Sequence, residues 1–293
     1  MDGVLVVDKP EGWTSHDAVN KVRKIIGTRR VGHLGTLDPM ATGVLPLVVG
    51  RATRLSQFLM KGDKVYDAVV RFGYSTDTYD RDGAPTSPVT TPAIELPQLE
   101  AALRGMLGTI EQVPPPISAK KVAGTPAYKL ARKNQPVELK PVAVTIHSLE
   151  LVSLEGADAH LIVRCSAGTY MRSIAHDLGQ ALGCGAFLYR LRRMASGDFT
   201  LQQARTLEEL ERLQAEGKLA DALVPATELL PAFPSETVDA LTASQIRQGR
   251  DFRVSPFRVR AGTRYVKAVT QQGELIAIGE MKLPNVYHPF LVL

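Results

Sequence analysis

A glycine-punctuated loop between residues 29 and 46 carries one carboxylate in a setting that suits chemistry. Asp38 lies between Leu37 and Pro39, ahead of the apolar run that starts at Val44. Pro39 restricts the backbone of Asp38 to extended conformations, because the proline ring clashes with the residue before it. A carboxylate held in this way could act as a nucleophile or as a general base. A simpler interpretation stays open, since an aspartate in a loop is far more often a turn residue or a helix cap.

Three glycines and one histidine flank this carboxylate. Gly32, Gly35 and Gly43 have no side chain, so the backbone at these positions can approach a ligand closely. His33 precedes Asp38 by five residues and adds a second titratable group to the loop. The residue types therefore allow acid–base or nucleophilic chemistry on a ligand that the loop holds closely.

The segment before the loop predicts the elements that must position it. A β-branched run from Gly3 to Asp8 predicts a strand, and Thr14 or Ser15 can cap the helix that follows. An apolar stripe and a terminal glycine support this helix: Ala18, Val22, Ile25, Ile26 and Gly27. After the loop, Val44 to Val49 predicts a buried strand, and TRLSQFLM beyond it is expected to be helical.

Two later segments carry further candidate residues. KVYDAVVRF alternates with a period of two, which predicts a strand with Tyr66 on its apolar face. A helix predicted from Thr169 holds Tyr170 and Arg172 in its first turn. The pattern by itself favours a core position for Tyr66 and a solvated position for Arg172. Farther along the same helix, a surface pair is expected between His176 and its neighbour in sequence, Asp177.

Helices and strands mix without a regular βαβ rhythm, which predicts an α+β fold. A helix is expected near Gln98 to Leu107, and proline-flanked PAFPSE marks a boundary between domains at 1–234 and 237–293. In the tail a short helix precedes a predicted hairpin, and Lys and Arg outnumber Asp and Glu. This composition fits an accessory RNA-binding module, and a purely structural cap is the alternative.

Composition limits the class of protein further. The net charge of +5 is compatible with a polyanionic partner. Cys165 and Cys184 cannot form a disulfide framework and lack metal-ligand spacing, so a reducing cytoplasm is expected. The first residues do not have the pattern of a signal peptide, and no apolar run has the length of a membrane helix, so a soluble protein is expected.

Several long motifs follow one another along the chain. The longest is GHLGTLDPMATGVLPLVVGRATRLSQ around Asp38. The others are GVLVVDKP at 3–10, the strand of Tyr66, TDT at 76–78, SAGTYMR at 166–172, and LGCGA at 182–186 leading to Leu191, Arg192 and Arg193. In this order, these motifs resemble those of the tRNA pseudouridine synthase B family (TruB). The resemblance implies the pseudouridine synthase fold, with a mixed, largely antiparallel sheet. The tail resembles a PUA-type RNA-binding domain more loosely.

The resemblance implies roles for individual residues. Asp38 matches the essential catalytic aspartate, Tyr66 the tyrosine that stacks on the target base, and Arg172 the arginine that pairs with the aspartate. Four further positions match residues that contact or surround the flipped nucleotide: His33, Tyr170, Leu191 and Lys9. Of these, Leu191 is almost equally well explained by a core position, and Lys9 has the least certain role.

The implied reaction converts uridine to pseudouridine at position 55 in the T-loop of tRNA. It breaks the glycosidic bond and joins ribose C1′ to C5 of the base, so nothing is oxidised and neither a metal nor another cofactor is expected. A basic insertion at about 114–136 would grip the RNA through Lys120, Lys121, Lys129 and Arg132. We expect a cytoplasmic monomer whose partner is the tRNA T-arm, with no protein partner and no membrane.

Three alternatives remain at this stage. A guide-RNA-dependent synthase of the same family would need a ribonucleoprotein, although this chain lacks a long basic extension. A non-catalytic RNA-binding or tRNA-folding protein could retain the scaffold, but the joint presence of Asp38, Tyr66 and Arg172 argues against it. A base-releasing N-glycosylase, which can also use an aspartate, would leave free uracil and an abasic site.

Overall fold

Strands make up more of the regular structure than helices in this computed structural model, which describes residues 1–117, 121–122, 125–126, 139–260 and 262–293. The strands are β1 Gly3–Lys9, β2 Val31–His33, β3 Thr42–Val49, β4 Lys64–Phe72, β5 Gly108–Gln112, β6 Lys121–Val122, β7 Thr125–Pro126, β8 Val142–Glu155, β9 Asp158–Cys165, β10 Ala186–Ser196, β11 Phe199–Thr200, β12 Leu223–Pro225, β13 Ser235–Val238, β14 Phe252–Arg253, β15 Tyr265–Thr270, β16 Leu275–Leu283 and β17 Val286–Val292. The α-helices are α1 Ser15–Ile26, α2 Ser56–Leu59, α3 Leu96–Gly105, α4 Met171–Ala181, α5 Leu207–Ala215 and α6 Ala240–Arg247. Two 3₁₀ turns span Gly50–Leu55 and Leu219–Ala222.

Ten of the described strands form one large mixed sheet. Its order is β12-β1-β3-β10-β4-β9-β8-β5, with β2 paired to β3 and β11 to β10. The β3–β10 neighbours are parallel, and the other ladders are antiparallel. The predicted α+β class with a largely antiparallel sheet is confirmed.

The parallel contact between β3 and β10 determines where the Asp38 loop lies. Thr42 pairs with Arg192 and Gly43 with Arg193, while Arg193 pairs with Tyr66 of β4 on its other side. Gly43 has φ 98°, and a Cβ atom there would lie 2.3 Å from the Arg193 carbonyl oxygen. The close approach of these two strands therefore requires glycine at residue 43.

Helix α1 begins where the sequence predicts. The Thr14 hydroxyl accepts from the backbone N–H of Asp17 at 3.1 Å, and the Asp17 carboxylate accepts from the N–H of Thr14 at 2.9 Å. This reciprocal pair is a capping box. Gly27 ends the helix in the left-handed region with φ 67°. Ala18 and Val22 are buried against the sheet, as the apolar stripe indicates.

The segment TRLSQFLM is less helical than predicted, since only Ser56–Leu59 is α-helical. Gly50–Leu55 before it is a 3₁₀ turn. The Thr53 hydroxyl donates to the Gly50 carbonyl at 2.8 Å, and the Ser56 hydroxyl donates to the Thr53 carbonyl at 2.6 Å. These local bonds to carbonyls three residues earlier favour the tighter turn over a regular helix. Two other helices begin within two residues of their predicted starts, at Leu96 and Met171.

A second sheet is built from the residues after 234. Its order is β13-β15-β16-β17-β14, with β13 parallel to β15 and antiparallel ladders elsewhere, including the predicted β15–β16 hairpin. An aromatic group joins this sheet to α2, in which Phe58 contacts Phe233, Tyr265 and Phe290. Arg51 adds polar links, because its Nη2 atom lies 2.8 Å from both Asp2 Oδ2 and Glu274 Oε1.

The basic insertion is described only in part. Strands β6 and β7 pair with each other through Lys121 to Pro126 and Val122 to Thr125. Lys120, Lys129 and Arg132 lie outside the described residues, and of Lys121 only the backbone is described. None of the helices in the described ranges combines the length and apolarity needed to cross a membrane.

Candidate active site

Asp38 and Arg172 meet in a cleft above the centre of the large sheet. The cleft has a cavity volume of about 290 Å³, close to the lower end of the range for small-molecule sites, about 300–1,000 Å³. Four elements supply its main side chains: Asp38 from the loop before β3, Tyr66 from β4, Arg172 from α4 and Leu191 from β10. Tyr170, just before α4, also lines it.

The Arg172 guanidinium faces both oxygen atoms of the Asp38 carboxylate. Nη2 donates to Oδ1 at 3.0 Å, and Nε lies 2.9 Å from Oδ2, although the Nε contact lacks hydrogen-bond geometry. The Arg172 side chain is 5% exposed, whereas that of Asp38 is 31% exposed. The guanidinium is therefore buried in protein, and the carboxylate keeps a side open toward the cleft.

Arg172 has a second set of partners in the loop after β4. Its Nη1 atom donates to the Thr78 carbonyl at 3.0 Å and lies 3.6 Å from Asp80 Oδ2. Asp80 is held in turn, since its Oδ1 accepts from the Thr78 hydroxyl at 2.6 Å and from the Asp82 N–H at 3.1 Å. The buried Arg172 guanidinium thus lies between the carboxylates of Asp38 and Asp80, and the Asp38 carboxylate opens to the cleft.

The electrostatics of Asp38 reflect this arrangement. Burial raises the pKa of the Asp38 carboxyl above its ordinary value, and the nearby Asp80 carboxylate adds to the increase. The charge and hydrogen bond of Arg172 oppose it. A carboxylate that is partly desolvated and held by one guanidinium is suited to react as a base or nucleophile near neutral pH.

Tyr66 forms part of the apolar wall of the cleft. Its side chain is buried in the core cluster, and burial raises the pKa of the phenol while Arg193 opposes the increase. The phenol therefore stays protonated at neutral pH. Leu191 lines the same cleft from the neighbouring strand, where it pairs with Ala68, so a flat base in the cleft would have one aromatic and one aliphatic neighbour.

Two cationic side chains of the cleft did not stand out in the sequence as site residues. The Lys64 ammonium donates to the Met60 and Gly62 carbonyls, and burial lowers the pKa of Lys64 to about 8. Arg193 donates to the Val44 and Gly35 carbonyls and is almost fully buried. The position of Arg193 at the end of the last motif could have indicated its place in the site, but nothing in the sequence marks Lys64.

Two of the predicted site residues do not line the cleft. Lys9 is fully buried and donates to the carbonyls of Pro10, Trp13 and Pro39, which ties the first strand to the Asp38 loop. His33 lies in β2, and its Nδ1 atom is buried without a hydrogen-bond partner among the described residues. His33 belongs to the loop in sequence and Lys9 contacts the loop at Pro39, but neither is among the residues around the cavity.

Asp80 is a residue of this network that lies outside the sequence motifs. It lies two residues after Thr78, the last residue of the TDT motif, and no periodicity marks it. Its contact with Arg172 joins residues far apart in the sequence, so only the folded chain shows it. Among the described residues, no three His, Cys, Asp or Glu side chains come together in a way that could hold a metal ion.

Comparison with known proteins supports one family over most of the chain. The family described as "TruB family pseudouridylate synthase (N terminal domain)" matches residues 23–171. The "tRNA pseudouridylate synthase B C-terminal domain" matches residues 172–231, so both matches end before the second sheet.

Individual relatives extend the comparison to the whole chain. The chain is 62% identical over 293 residues to "tRNA pseudouridine synthase B" of Solibacter usitatus (strain Ellin6076), covering 100% of both proteins. It is 46% identical over 252 residues to the protein of the same name from Aromatoleum aromaticum, covering 85% of this chain and 80% of that one. A chain in the "Crystal Structure of a Cbf5-Nop10-Gar1 Complex" is 27% identical with a TM-score of 0.73, covering 97% of this chain and 79% of that chain. The chain therefore belongs to the TruB family of pseudouridylate synthases.

Proposed function

We propose that this isomerase, which makes pseudouridine in tRNA, acts on uridine 55 of the T-loop with Asp38 as its essential carboxylate. The observation that carries the proposal is the Asp38 carboxylate, which is held by Arg172 at 3.0 Å and opens into a cleft walled by Tyr66 and Leu191. Relatives named tRNA pseudouridine synthase B, including the one that matches the full chain at 62% identity, support tRNA as the substrate.

The chemistry of the isomerisation explains why one carboxylate, one guanidinium and apolar walls are sufficient for the site. The bond between ribose C1′ and N1 of uracil breaks, the base turns, and C1′ bonds to C5, whose proton moves to solvent while N1 takes up a proton. Asp38 can attack the sugar or the base, or remove the C2′ proton, and each of these roles uses its ionised form. Arg172 keeps that form oriented, and the apolar walls retain the detached uracil.

The target base must leave its stack before it can reach Asp38. The cavity of about 290 Å³ accommodates a single nucleotide rather than a duplex, so we propose that the uridine is flipped into it. Tyr66 then offers a ring face to the uracil, since any base can stack on an aromatic side chain. The basic insertion that contains Lys120, Lys121, Lys129 and Arg132 would hold the T-arm outside the cleft.

We also propose that the enzyme works without a guide RNA or a protein partner, as a monomer in the cytoplasm. The relative from Solibacter usitatus, named as a tRNA pseudouridine synthase, aligns with this chain over 100% of both. The similar solved chain is recorded in complexes, and its 27% identity is much lower than that of the bacterial relatives. Activity on bare tRNA with no other macromolecule present would support the stand-alone form.

The unit at 237–293 is proposed to be a PUA-like module that contacts RNA. Its support is an arginine-rich segment between 250 and 264, which holds five arginines and one acidic residue, Asp251. Four of these arginines have no ion pair with any described residue: Arg250, Arg253, Arg258 and Arg260. Phe257 lies among them with its side chain 97% exposed, which suits stacking on an unpaired base.

The deciding experiment uses purified protein and an unmodified tRNA transcript. Pseudouridine mapped at position 55, and absent from a transcript with cytidine there, supports the proposal. Modification at another position would reject the site assignment, and free uracil with an abasic site would identify an N-glycosylase instead. A reaction that needs added guide RNA or added protein would reject the stand-alone form.

A further inference from the structure

The ring of Tyr79 lies flat against the imidazole of His176, beside the active-site network but outside the cleft lining. The ring centroids are 3.8 Å apart and the planes differ by 8°. The predicted surface pair of His176 with Asp177 is wrong, since no ion pair joins them in the described chain and His176 Nδ1 is buried without a partner. The imidazole contacts Tyr79 through its flat face, and its Nδ1 atom adds no hydrogen bond within the described chain.

The position of His176 on α4 places the stack close to Arg172. His176 follows Arg172 by four residues, so the two side chains lie on the same side of the helix, one turn apart. Tyr79 lies between Thr78 and Asp80, the two loop residues that contact Arg172. The stack therefore fastens this loop to the helix that carries the arginine, one turn beyond the arginine itself.

The backbone of Tyr79 shows that the loop is held under strain. Its φ is 64°, in the left-handed region that residues other than glycine seldom adopt. Such a conformation persists only where the surroundings hold it. On one side the Leu188 N–H donates to the Tyr79 carbonyl at 3.0 Å, and the Arg81 N–H donates to the Leu188 carbonyl at 3.1 Å. On the other side the loop is held by the ring stack and by Arg172.

We propose that Tyr79 and His176 are positioning residues for the isomerisation, which act through Arg172. Their stack keeps the Thr78 carbonyl and the Asp80 carboxylate against Nη1 of Arg172, and this leaves Nη2 and Nε directed at Asp38. Without the stack the loop gains alternative conformations, and Arg172 spends less time in the orientation that holds the reactive carboxylate. The inference rests on the proposed function, because it assigns the stack a role in that reaction.

Paired substitutions can separate the effect of the ring stack on the rate from the effect of the Tyr79 backbone. Tyr79→Asn removes the ring but keeps a residue that tolerates a positive φ, and Tyr79→Phe keeps the ring. His176→Ala and His176→Phe form the matching pair, since the Nδ1 atom of the imidazole has no hydrogen-bond partner among the described residues and phenylalanine keeps a flat ring. The chemical rate is measured in single turnovers with enzyme in excess, below the melting temperature of every variant, and the dissociation constant for tRNA is measured separately.

We expect Tyr79→Asn and His176→Ala each to lower the single-turnover rate by about 3- to 10-fold, the range that loss of an aromatic pair allows, with unchanged tRNA affinity. Both Phe variants should stay within about twofold of the wild type, and Tyr79→Asn combined with His176→Ala should be no slower than the slower single variant. Unchanged rates in the Asn and Ala variants, equal losses in the Phe variants, or multiplied losses in the double variant would overturn the inference. Absence of pseudouridine with the wild type would instead reject the proposed function.

Discussion

Arg172 faces Asp38 with two nitrogen atoms, Nη2 at 3.0 Å from Oδ1 and Nε at 2.9 Å from Oδ2. The remaining terminal nitrogen, Nη1, faces Thr78 and Asp80. The guanidinium is planar, so fixing one edge against the loop also fixes the direction of the other edge toward Asp38. The orientation of the Asp38 carboxylate thus depends on a loop that does not line the cleft.

Removal of the Asp38 carboxylate should abolish chemistry and spare binding. Asp38→Ala is expected to lower the single-turnover rate to below about one thousandth of the wild-type value, as for other essential reactive groups. Its tRNA affinity should change by less than about threefold, because the insertion proposed to grip the RNA lies elsewhere in the chain. Filter binding and pseudouridine mapping on the same preparation test both parts. Pseudouridine formed by the pure variant would contradict the essential role of Asp38.

Asp80 should control the acid side of the pH profile. Burial and Asp80 both raise the pKa of Asp38, so activity that needs ionised Asp38 should decline on acidification at a pH above the ordinary aspartate value. Asp80→Asn removes one negative charge, which lowers the pKa of Asp38 and shifts the acid limb to lower pH.

The profile of the single-turnover rate, measured for both proteins at saturating enzyme, checks this direction. Asp80→Glu, which keeps the charge, is the matched control and should shift the limb less. A limb that stays in place in Asp80→Asn, or moves to higher pH, would show that the apparent pKa does not belong to Asp38.

The sequence identified the parts of the site that lie within linear motifs. Asp38, Tyr66 and Arg172 are each marked by their neighbours in the chain, and the structure brings all three to one cleft. Asp80 could not be found in this way, because its contact with Arg172 joins separate parts of the chain. Lys64 could not be found either, because its burial beside the cleft depends on the fold although its carbonyl partners are local. From sequence alone, a buried polar residue cannot be distinguished from an ordinary surface residue until its partners are known.

The helices and turns likewise differ in whether local sequence signals or tertiary contacts determine them. Helix α1 was predictable from its capping box and terminal glycine, which are local signals. The 3₁₀ turn Gly50–Leu55 was not, although the hydroxyls of Thr53 and Ser56 favour it locally. The contacts of Arg51 with Asp2 and Glu274, which add to these local bonds, are distant in sequence. Lys9 was assigned to the site from its motif, whereas the structure gives it three carbonyl partners below the Asp38 loop.

The lysines of the insertion should control affinity rather than chemistry. Replacing Lys120, Lys121 and Lys129 with alanine is expected to weaken tRNA binding and to reduce the slope of log affinity against log salt by about one for each lost phosphate contact. Lys218→Ala is a suitable control, because this lysine is exposed and paired with Glu216 near acidic helix α5. A single-turnover rate that collapses together with affinity at saturating enzyme would contradict the assignment.

The exposed ring of the C-terminal unit gives a separate test of RNA contact. Phe257→Ala is expected to weaken binding of full-length tRNA by about 5- to 160-fold, given about 1–3 kcal/mol for a base stacked on an aromatic side chain. Binding of an isolated T-arm hairpin should be unaffected if the contact lies on another part of the tRNA. Leu241→Ala, at another exposed apolar position of this unit, is the control. Equal affinities of wild type and Phe257→Ala for both RNAs would favour the structural-cap interpretation.

Lys9 gives a prediction about stability that does not depend on catalysis. Burial lowers the pKa of Lys9 to about 8, from 10.5 for an exposed lysine. Below pH 8 the ammonium is charged in both states, whereas between pH 8 and 10.5 only the unfolded chain keeps the proton. The unfolded state then binds more protons, so the free energy of unfolding gained from this residue rises with pH.

Lys9→Met lacks this titration and also leaves the carbonyls of Pro10, Trp13 and Pro39 without their donor. We expect the variant to be less stable by about 1–3 kcal/mol at pH 7. The difference from the wild type should widen between pH 8 and 10, as measured by denaturant unfolding at several pH values. Lys64, whose pKa is also lowered to about 8, titrates in both proteins, so its contribution cancels in the comparison. A difference that stays constant or narrows over this range would show that Lys9 remains charged where it is buried, and that its three carbonyl partners outweigh the cost of desolvation.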